Sequence, residues 1–188
     1  MRIVGGRLRG RVLKAPASRA IRPTSERLRE SIFDILAHAY GDPAAGGRAI
    51  DLFAGSGALG LEALSRGAAF ALFVDDRAEA RALLRANIET LGLGGASRVW
   101  RADATKLGKA PATYSLAFLD PPYAANLAAP ALRALVEGGW LAPGAIVVVE
   151  EAARANIDAP DALRLAEERV YGDTKIAIFA HEPIGRAG

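Results

Sequence analysis

Ala49-Ile50-Asp51-Leu52-Phe53-Ala54-Gly55-Ser56-Gly57-Ala58-Leu59-Gly60 is the stretch that decides the fold. Ala49 to Phe53 reads as a buried strand and Ala58 to Ser65 as a helix. Between them lies a G-x-G-x-x-G loop, the strand-to-helix context in which the backbone approaches a nucleotide-like ligand closely. By itself the loop suits a nicotinamide dinucleotide as well as any other adenosine cofactor.

Strands and helices alternate outward from this unit. Phe70 to Val74 is the next expected strand and Ala78 to Leu91 a long helix ended by Gly92. Arg98 to Arg101 and Leu116 to Leu119 follow as strands, then a helix from Leu127 to Val136 and a buried strand from Ala145 to Glu150. Leu163 to Tyr171 and Lys175 to Ala180 form a closing antiparallel pair around Gly172-Asp173. Strands separated by helices imply right-handed parallel crossovers, hence an α/β, doubly wound, mostly parallel Rossmann-like sheet.

Upstream, Arg2-Ile3-Val4 and Arg11-Val12-Leu13 read as two short strands punctuated by Gly5-Gly6 and Gly10, a small N-terminal β extension. Ala15 to Arg22 is a linker, and Pro23-Thr24 opens a helix with Thr24 or Ser25 as N-cap. Leu28, Ile32, Ile35, Leu36 and Ala39 make its apolar stripe, with Arg27 and Arg29 placed off it. The expected organisation is a basic arm over residues 1–23 and a single domain over 24–188.

Composition excludes several functions. With 188 residues, 51% hydrophobic and 24% charged, the chain suits one globular α/β domain. With no cysteine there is no disulfide framework, thiolate metal site or cysteine nucleophile. His38 and His181, the two histidines, are expected at the surface or in packing, and no metal cluster is expected. No apolar run spans a bilayer and no signal-peptide core follows the basic start, so a cytoplasmic location is expected. Charge is uneven: residues 1–30 hold nine Arg and Lys against two acids, net +7, while the remainder is net −4. A basic arm on a mildly acidic body is a nucleic-acid footprint. Arg7, Arg9, Arg11 and Arg22, with Arg27 and Arg29 on the following helix, are the expected phosphate contacts.

Two carboxylates separate the cofactor candidates. Asp51 lies inside the first strand, where a buried charge needs a partner. The ammonium of S-adenosylmethionine (SAM) supplies one; an anionic pyrophosphate does not. A helix N-terminus is the alternative partner. Asp103, after the third strand, can accept from an adenine amino group or serve as a turn residue. Asp75 ends the second strand, where it suits ribose hydroxyls in either cofactor. Phe53, Ala54, Gly55 and Gly57 of the loop, and Ala104 beside Asp103, complete the expected cofactor site.

The chemistry is carried by Asp120-Pro121-Pro122-Tyr123, just past the strand ending at Leu119. Prolines fix φ and bring no competing N–H. The Asp120 carboxylate and the Pro121 carbonyl can therefore accept the hydrogens of an exocyclic amine while Tyr123 stacks on the base. A strand-ending Asp-Pro turn is the structural alternative. Taken in order at successive strand ends, Asp51, the glycine loop, Asp75, Asp103 and Asp120 to Tyr123 look like a class I SAM-dependent methyltransferase acting on an amine.

The chain also resembles the RsmD family, bacterial 16S rRNA (guanine-N2) methyltransferases. The resemblance rests on Arg2-Ile-Val-Gly-Gly6, Arg9-Gly-Arg11, Arg22 to Glu30 with Phe33, Asp51 to Glu62, Asp120 to Tyr123 and Tyr171 to Thr174. The arm and the Arg-Pro-Thr segment are its specific part. Asp75-Asp76-Arg77 departs from the more usual acid, spacer and Asp. The resemblance implies methyl transfer from SAM to guanine N2 in 16S rRNA, on a protein-bound small-subunit particle, without a metal. Nothing in the sequence demands an oligomer. Asp-Pro-Pro-Tyr also permits adenine N6 in DNA or a protein glutamine, and the glycine loop an NAD-dependent oxidoreductase. A non-catalytic RNA-binding scaffold is a further alternative.

Overall fold

The computed structural model describes residues 1–15, 25–122 and 126–182. Helix α1, Glu26–Ala39, is capped by Ser25, whose Oγ accepts the Leu28 N–H at 3.1 Å. Thr24, the other candidate cap, lies outside the described residues, as do Arg22 and Tyr123. The alternating units follow as β1 (Arg48–Leu52), α2 (Ala58–Ser65), β2 (Phe70–Val74), α3 (Ala78–Leu91), β3 (Ser97–Trp100), β4 (Tyr114–Leu119), α4 (Ala128–Glu137), β5 (Leu141–Ala152), β6 (Leu163–Tyr171) and β7 (Thr174–His181).

The seven strands form one sheet in the order β3-β2-β1-β4-β5-β7-β6. The pairs from β3 through β5 are parallel, and β7 is antiparallel to both β5 and β6. This is the expected Rossmann-like architecture with a closing hairpin. Strand order reverses between β1 and β4, which opens a crevice beyond their carboxyl ends, where open α/β sheets bind ligands.

The central strands are buried on both faces. On one face Leu61, Leu64, Leu84, Ile32, Phe33 and Leu36 from α1, α2 and α3 pack against Phe73, Leu116 and Phe118. On the other, Leu132 and Leu135 of α4 pack with Trp140 against Ile50, Leu52 and Leu119. Such two-sided burial explains why these strands read as continuous apolar runs. Among the described residues, no helix is long and apolar enough to cross a membrane.

Three local expectations change. First, the N-terminal β extension reduces to one antiparallel bridge, Arg2 with Val12, around a 3-10 turn at Gly6–Leu8. Ile3 and Leu13 are buried in the main core. Glu62 of α2, fully buried, accepts the Val4 and Gly5 N–H groups at 2.9 and 2.7 Å and pairs with Arg66 at 3.0 Å. Second, Arg29 is fully buried and its guanidinium donates to the Arg2 carbonyl oxygen. It precedes Phe33 by four residues and Leu36 by seven, so it lies on the buried face of α1 rather than off it. Ala39, expected on that stripe, is exposed. Third, β5 begins at Leu141, where it pairs with Tyr114. Pro143 and Gly144 interrupt the apolar run and conceal this extension in the sequence.

Candidate active site

The parallel register assembles the site. Leu52 of β1 pairs with Val74 of β2 on one side and with Leu119 of β4 on the other. One residue further, Phe53, Asp75 and Asp120 follow at the carboxyl ends of three neighbouring strands. Adjacent strands lie ~4.8 Å apart, so the two acids flank the glycine loop with about 10 Å between their backbones. Asp120 is half-buried, Pro121 buried and Pro122 exposed. The sequence separates these acids by 45 positions; pairing brings them into one row.

The glycine loop is clamped from three directions. Asp51 Oδ2 accepts the Gly60 N–H at 2.9 Å from below. Asp75 Oδ2 accepts the Gly55 N–H at 2.9 Å from β2. Asn87 of α3, buried, donates to the Ser56 carbonyl at 3.0 Å. Phe53, entering the loop, has φ of 59°. A phenylalanine in the left-handed region costs on the order of 1–3 kcal/mol, and such strain clusters at ligand-binding turns. The loop leads into the N-terminus of α2, whose backbone N–H groups suit an electron-rich ligand.

Two glycines are required by close approach. A Cβ on Gly57, where φ is 80°, would stand 2.3 Å from Leu84 Cδ1. A Cβ on Gly60 would stand 2.4 Å from Phe73 Cε1 and 3.1 Å from Asp51 Oδ2. We expect Gly60→Ala to lower stability by about 1–3 kcal/mol, the usual range for overpacking, and to weaken SAM binding by displacing Asp51. Thermal unfolding and calorimetric titration check both; an unchanged melting temperature would contradict the packing seen here.

Asp51 is 2% exposed, and burial pushes its carboxyl up to about 8. The Gly60 N–H opposes that shift, while the charge of Asp75 adds to it. The helix-terminus partner therefore exists, but one amide leaves the buried carboxylate under-compensated. The acid is therefore mostly protonated near neutral pH, and a cation brought beside it would favour its ionised form. Asp103 is exposed and accepts from Thr105 Oγ1 at 2.6 Å and Thr105 N at 2.9 Å, with Lys106 at 3.5 Å. Those contacts hold its carboxyl below the usual range, the Thr105 hydroxyl first among them. Asp103 thus shapes the turn after β3. Ala104 beside it is buried.

The arginines divide by environment. Arg7, Arg9, Arg11 and Arg27 are exposed, and Arg11 donates to the Thr90 carbonyl at 3.0 Å. Arg29, expected at the RNA, is withdrawn from it by burial. Sequence reasoning missed Asn87. Its side chain accepts the Lys14 N–H at 2.8 Å and donates to the Lys14 carbonyl at 3.2 Å, in addition to its Ser56 contact. One amide thus ties the basic arm to the glycine loop. The signal was present: Ala80, Leu84, Asn87, Ile88 and Leu91 share helical spacing, which puts a polar residue inside an apolar stripe.

Asp51, the strained glycine loop and Asp75 thus gather a buried acid, closely approachable backbone and a second acid at one end of the sheet.

Comparison with known proteins identifies the family. A family profile described as "Conserved hypothetical protein 95" matches residues 1–180. Ribosomal RNA small subunit methyltransferase D of Escherichia coli K12 is 36% identical over 189 residues, spanning 100% of this chain and 93% of the relative. The protein of the same name from Haemophilus influenzae is 33% identical, spanning 95% and 93%. The solved yhhF chain of Escherichia coli superposes with a TM-score of 0.83 at 34% identity, covering 97% of this chain and 98% of its own. A Salinibacter ruber RNA methyltransferase solved with S-adenosyl-L-homocysteine shares the fold, with a TM-score of 0.65 at 15% identity over 86% of this chain and 95% of its own. With the family profile spanning residues 1–180 and the Escherichia coli relative 36% identical over the whole chain, the chain belongs to the RsmD family.

Proposed function

We propose that this protein transfers the methyl group of SAM to the exocyclic N2 amine of a guanine in 16S rRNA, on a small-subunit assembly particle in the cytoplasm. It is a SAM-dependent methyltransferase of the RsmD family, and RNA is its substrate class. The observation that supports an amine as the acceptor is the row of Asp75, Phe53 and Asp120 at the carboxyl ends of β2, β1 and β4, and relatives named ribosomal RNA small subunit methyltransferase D support 16S rRNA as its source. The row sets an acid for the cofactor beside an acid for the amine across the crevice.

SAM supplies an already activated sulfonium methyl, so the protein's work is placement. Asp51 offers a buried carboxyl that ionises against the ammonium, and Asp75 a carboxylate for the ribose. Phe53, Ala54, Gly55 and Gly57 shape the backbone around the cofactor, with Asp103 and Ala104 at its adenine end. A paired guanine must first leave its stack, at about a few kcal/mol. Tyr123 then offers a stacking ring. Asp120 and the Pro121 carbonyl accept the two amine hydrogens, which aims the nitrogen lone pair at the methyl carbon. Fixing two reactants in this way is worth up to roughly 7–11 kcal/mol. The amine becomes strongly acidic only after methylation, so Asp120 need not act as a strong base beforehand.

The basic arm, residues 1–23, meets phosphates through Arg7, Arg9, Arg11 and Arg22, with Arg27 beside it on α1. Phosphate contacts position the RNA without specifying its sequence. Deleting residues 1–14 is a poor test, because it would also remove buried Ile3 and Leu13 and strip Glu62 of two donors. The exposed pair is the cleaner target. Arg7→Gln with Arg9→Gln should weaken RNA binding and reduce its log–log salt slope by roughly 1–2, at about 0.7–0.9 per phosphate contact. Its unfolding temperature and SAM affinity should not change. An unaltered salt slope would remove both arginines from the interface.

The deciding experiment is transfer of labelled methyl from SAM to small ribosomal subunits that lack this modification, followed by nucleoside mass spectrometry. N2-methylguanosine in 16S rRNA is the expected product. Label on another base, or on protein, would overturn the substrate assignment while leaving the methyltransferase itself standing.

A further inference from the structure

Asp75 carries more than a ribose would ask of it. A carboxylate has about four lone-pair positions. Oδ2 accepts from Gly55 N at 2.9 Å and Arg77 Nη2 at 2.9 Å. Oδ1 accepts from Arg77 N at 2.9 Å and Arg77 Nε at 3.1 Å. All four positions are therefore engaged, two of them by one guanidinium gripping the acid side-on. Neighbouring backbone supplies the other two. The Asp75 side chain is 2% exposed, whereas that of Arg77 is 41% exposed, so the acid is fixed and the arginine faces solvent.

A ribose 2′,3′-diol has two hydroxyl donors. On a saturated carboxylate it can bond only where existing donors yield. The backbone N–H groups of Gly55 and Arg77 are set by the glycine loop and the start of α3. The guanidinium hangs on rotatable bonds and has water to return to. We infer that Arg77 competes with the cofactor's ribose diol for Asp75, and so weakens the hold on SAM and on its demethylated product. This deepens the proposed function and rests on its assignment of Asp75 to the ribose. The consequence is turnover: an internal donor that reclaims Asp75 helps the spent cofactor leave. The sequence departure at Asp75-Asp76-Arg77 is what places the arginine there.

The direction of the effect separates this idea from simple damage. Arg77 is the N-cap position of α3 but makes no side-chain cap bond, so truncation costs the helix no cap. Calorimetric titration of S-adenosylhomocysteine should show Arg77→Met binding about 3–10-fold tighter than wild type, as expected when a half-exposed bidentate competitor is removed. Product dissociation should slow by a similar factor. Asp75→Asn should weaken binding, and in that background the gain from Arg77→Met should fall sharply, leaving only the smaller effect of its charge near Asp76 and Asp120, a coupling that a double-mutant cycle reads directly. Weaker or unchanged binding by Arg77→Met, alongside weaker binding by Asp75→Asn, would overturn the competition and keep the ribose assignment. Unchanged binding by Asp75→Asn would overturn the ribose assignment itself.

Discussion

Asp120→Ala is expected to lower kcat by about 10²–10³-fold, while SAM affinity stays within about twofold of wild type. The basis is location. Asp120 follows β4, one strand across from the glycine loop, and the loop's own contacts run to Asp51, Asp75 and Asn87 instead. Removing one pre-positioned hydrogen-bond partner from a reacting group typically costs this much in rate. Asp120→Asn should fall between the two, since an amide oxygen accepts one hydrogen but carries no charge. Single-turnover transfer with saturating SAM separates chemistry from binding. Near-wild-type turnover in Asp120→Ala would eliminate the acceptor role and leave Asp120-Pro121 as a strand-ending turn.

The second large effect concerns Asp51 and has two opposite signs in one variant. The folded-state pKa of Asp51 is raised to about 8 by burial, against about 3.9 for an unfolded aspartate. Between those values the folded chain binds more protons than the unfolded chain. Stability from this group is therefore fully present near pH 4 and declines as pH rises toward 8. Asp51→Asn keeps the side-chain size and an acceptor for Gly60, but nothing ionises. The variant should gain on wild type steadily across that window, by a few kcal/mol at pH 8, at about 1.4 kcal/mol per pKa unit. The same change should weaken SAM about 10–100-fold, because a hydrogen bond to a charged group contributes roughly 1.5–3 kcal/mol. Methylthioadenosine, which lacks the ammonium, should bind both proteins alike. SAM binding to wild type should release a proton near neutral pH, visible as a buffer-dependent enthalpy. A stability profile as steep in Asp51→Asn as in wild type would remove Asp51 as its source.

These two acids show how differently a function can be written into a chain. The Asp120-Pro-Pro-Tyr run suggests its chemistry locally, because prolines fix φ and bring no competing N–H. Asp51 declares itself only through context. An acid inside an apolar strand is costly anywhere, but its partner was a choice between a helix terminus and a ligand ammonium. The structure shows Gly60 of the helix in contact, with burial still dominating the carboxyl. Asp103 sits at the other extreme. It is exposed and well satisfied by Thr105, so its fold contribution is visible without any ligand.

The sequence by itself determined the alternating βα order, the glycine loop between β1 and α2, and the uneven spread of charge. Each is a local pattern: apolar period, missing Cβ atoms or summed charge. The expected span Ala78 to Leu91 matches α3, because an amphipathic stripe and a terminal glycine are both near in sequence. Tertiary structure alone decided the rest. Parallel pairing set Asp75 and Asp120 in one row, since strand register depends on crossovers that no short window contains. Packing turned Arg29 inward, where the Arg2 carbonyl receives a cation that charge counting had placed at the RNA. It also folded the arm onto Glu62 and Asn87, from 58 and 73 positions away, so a segment that reads as an appendage closes part of the core. A charge in a sequence has a sign but no surroundings, and the surroundings decide whether it binds a ligand or holds the fold.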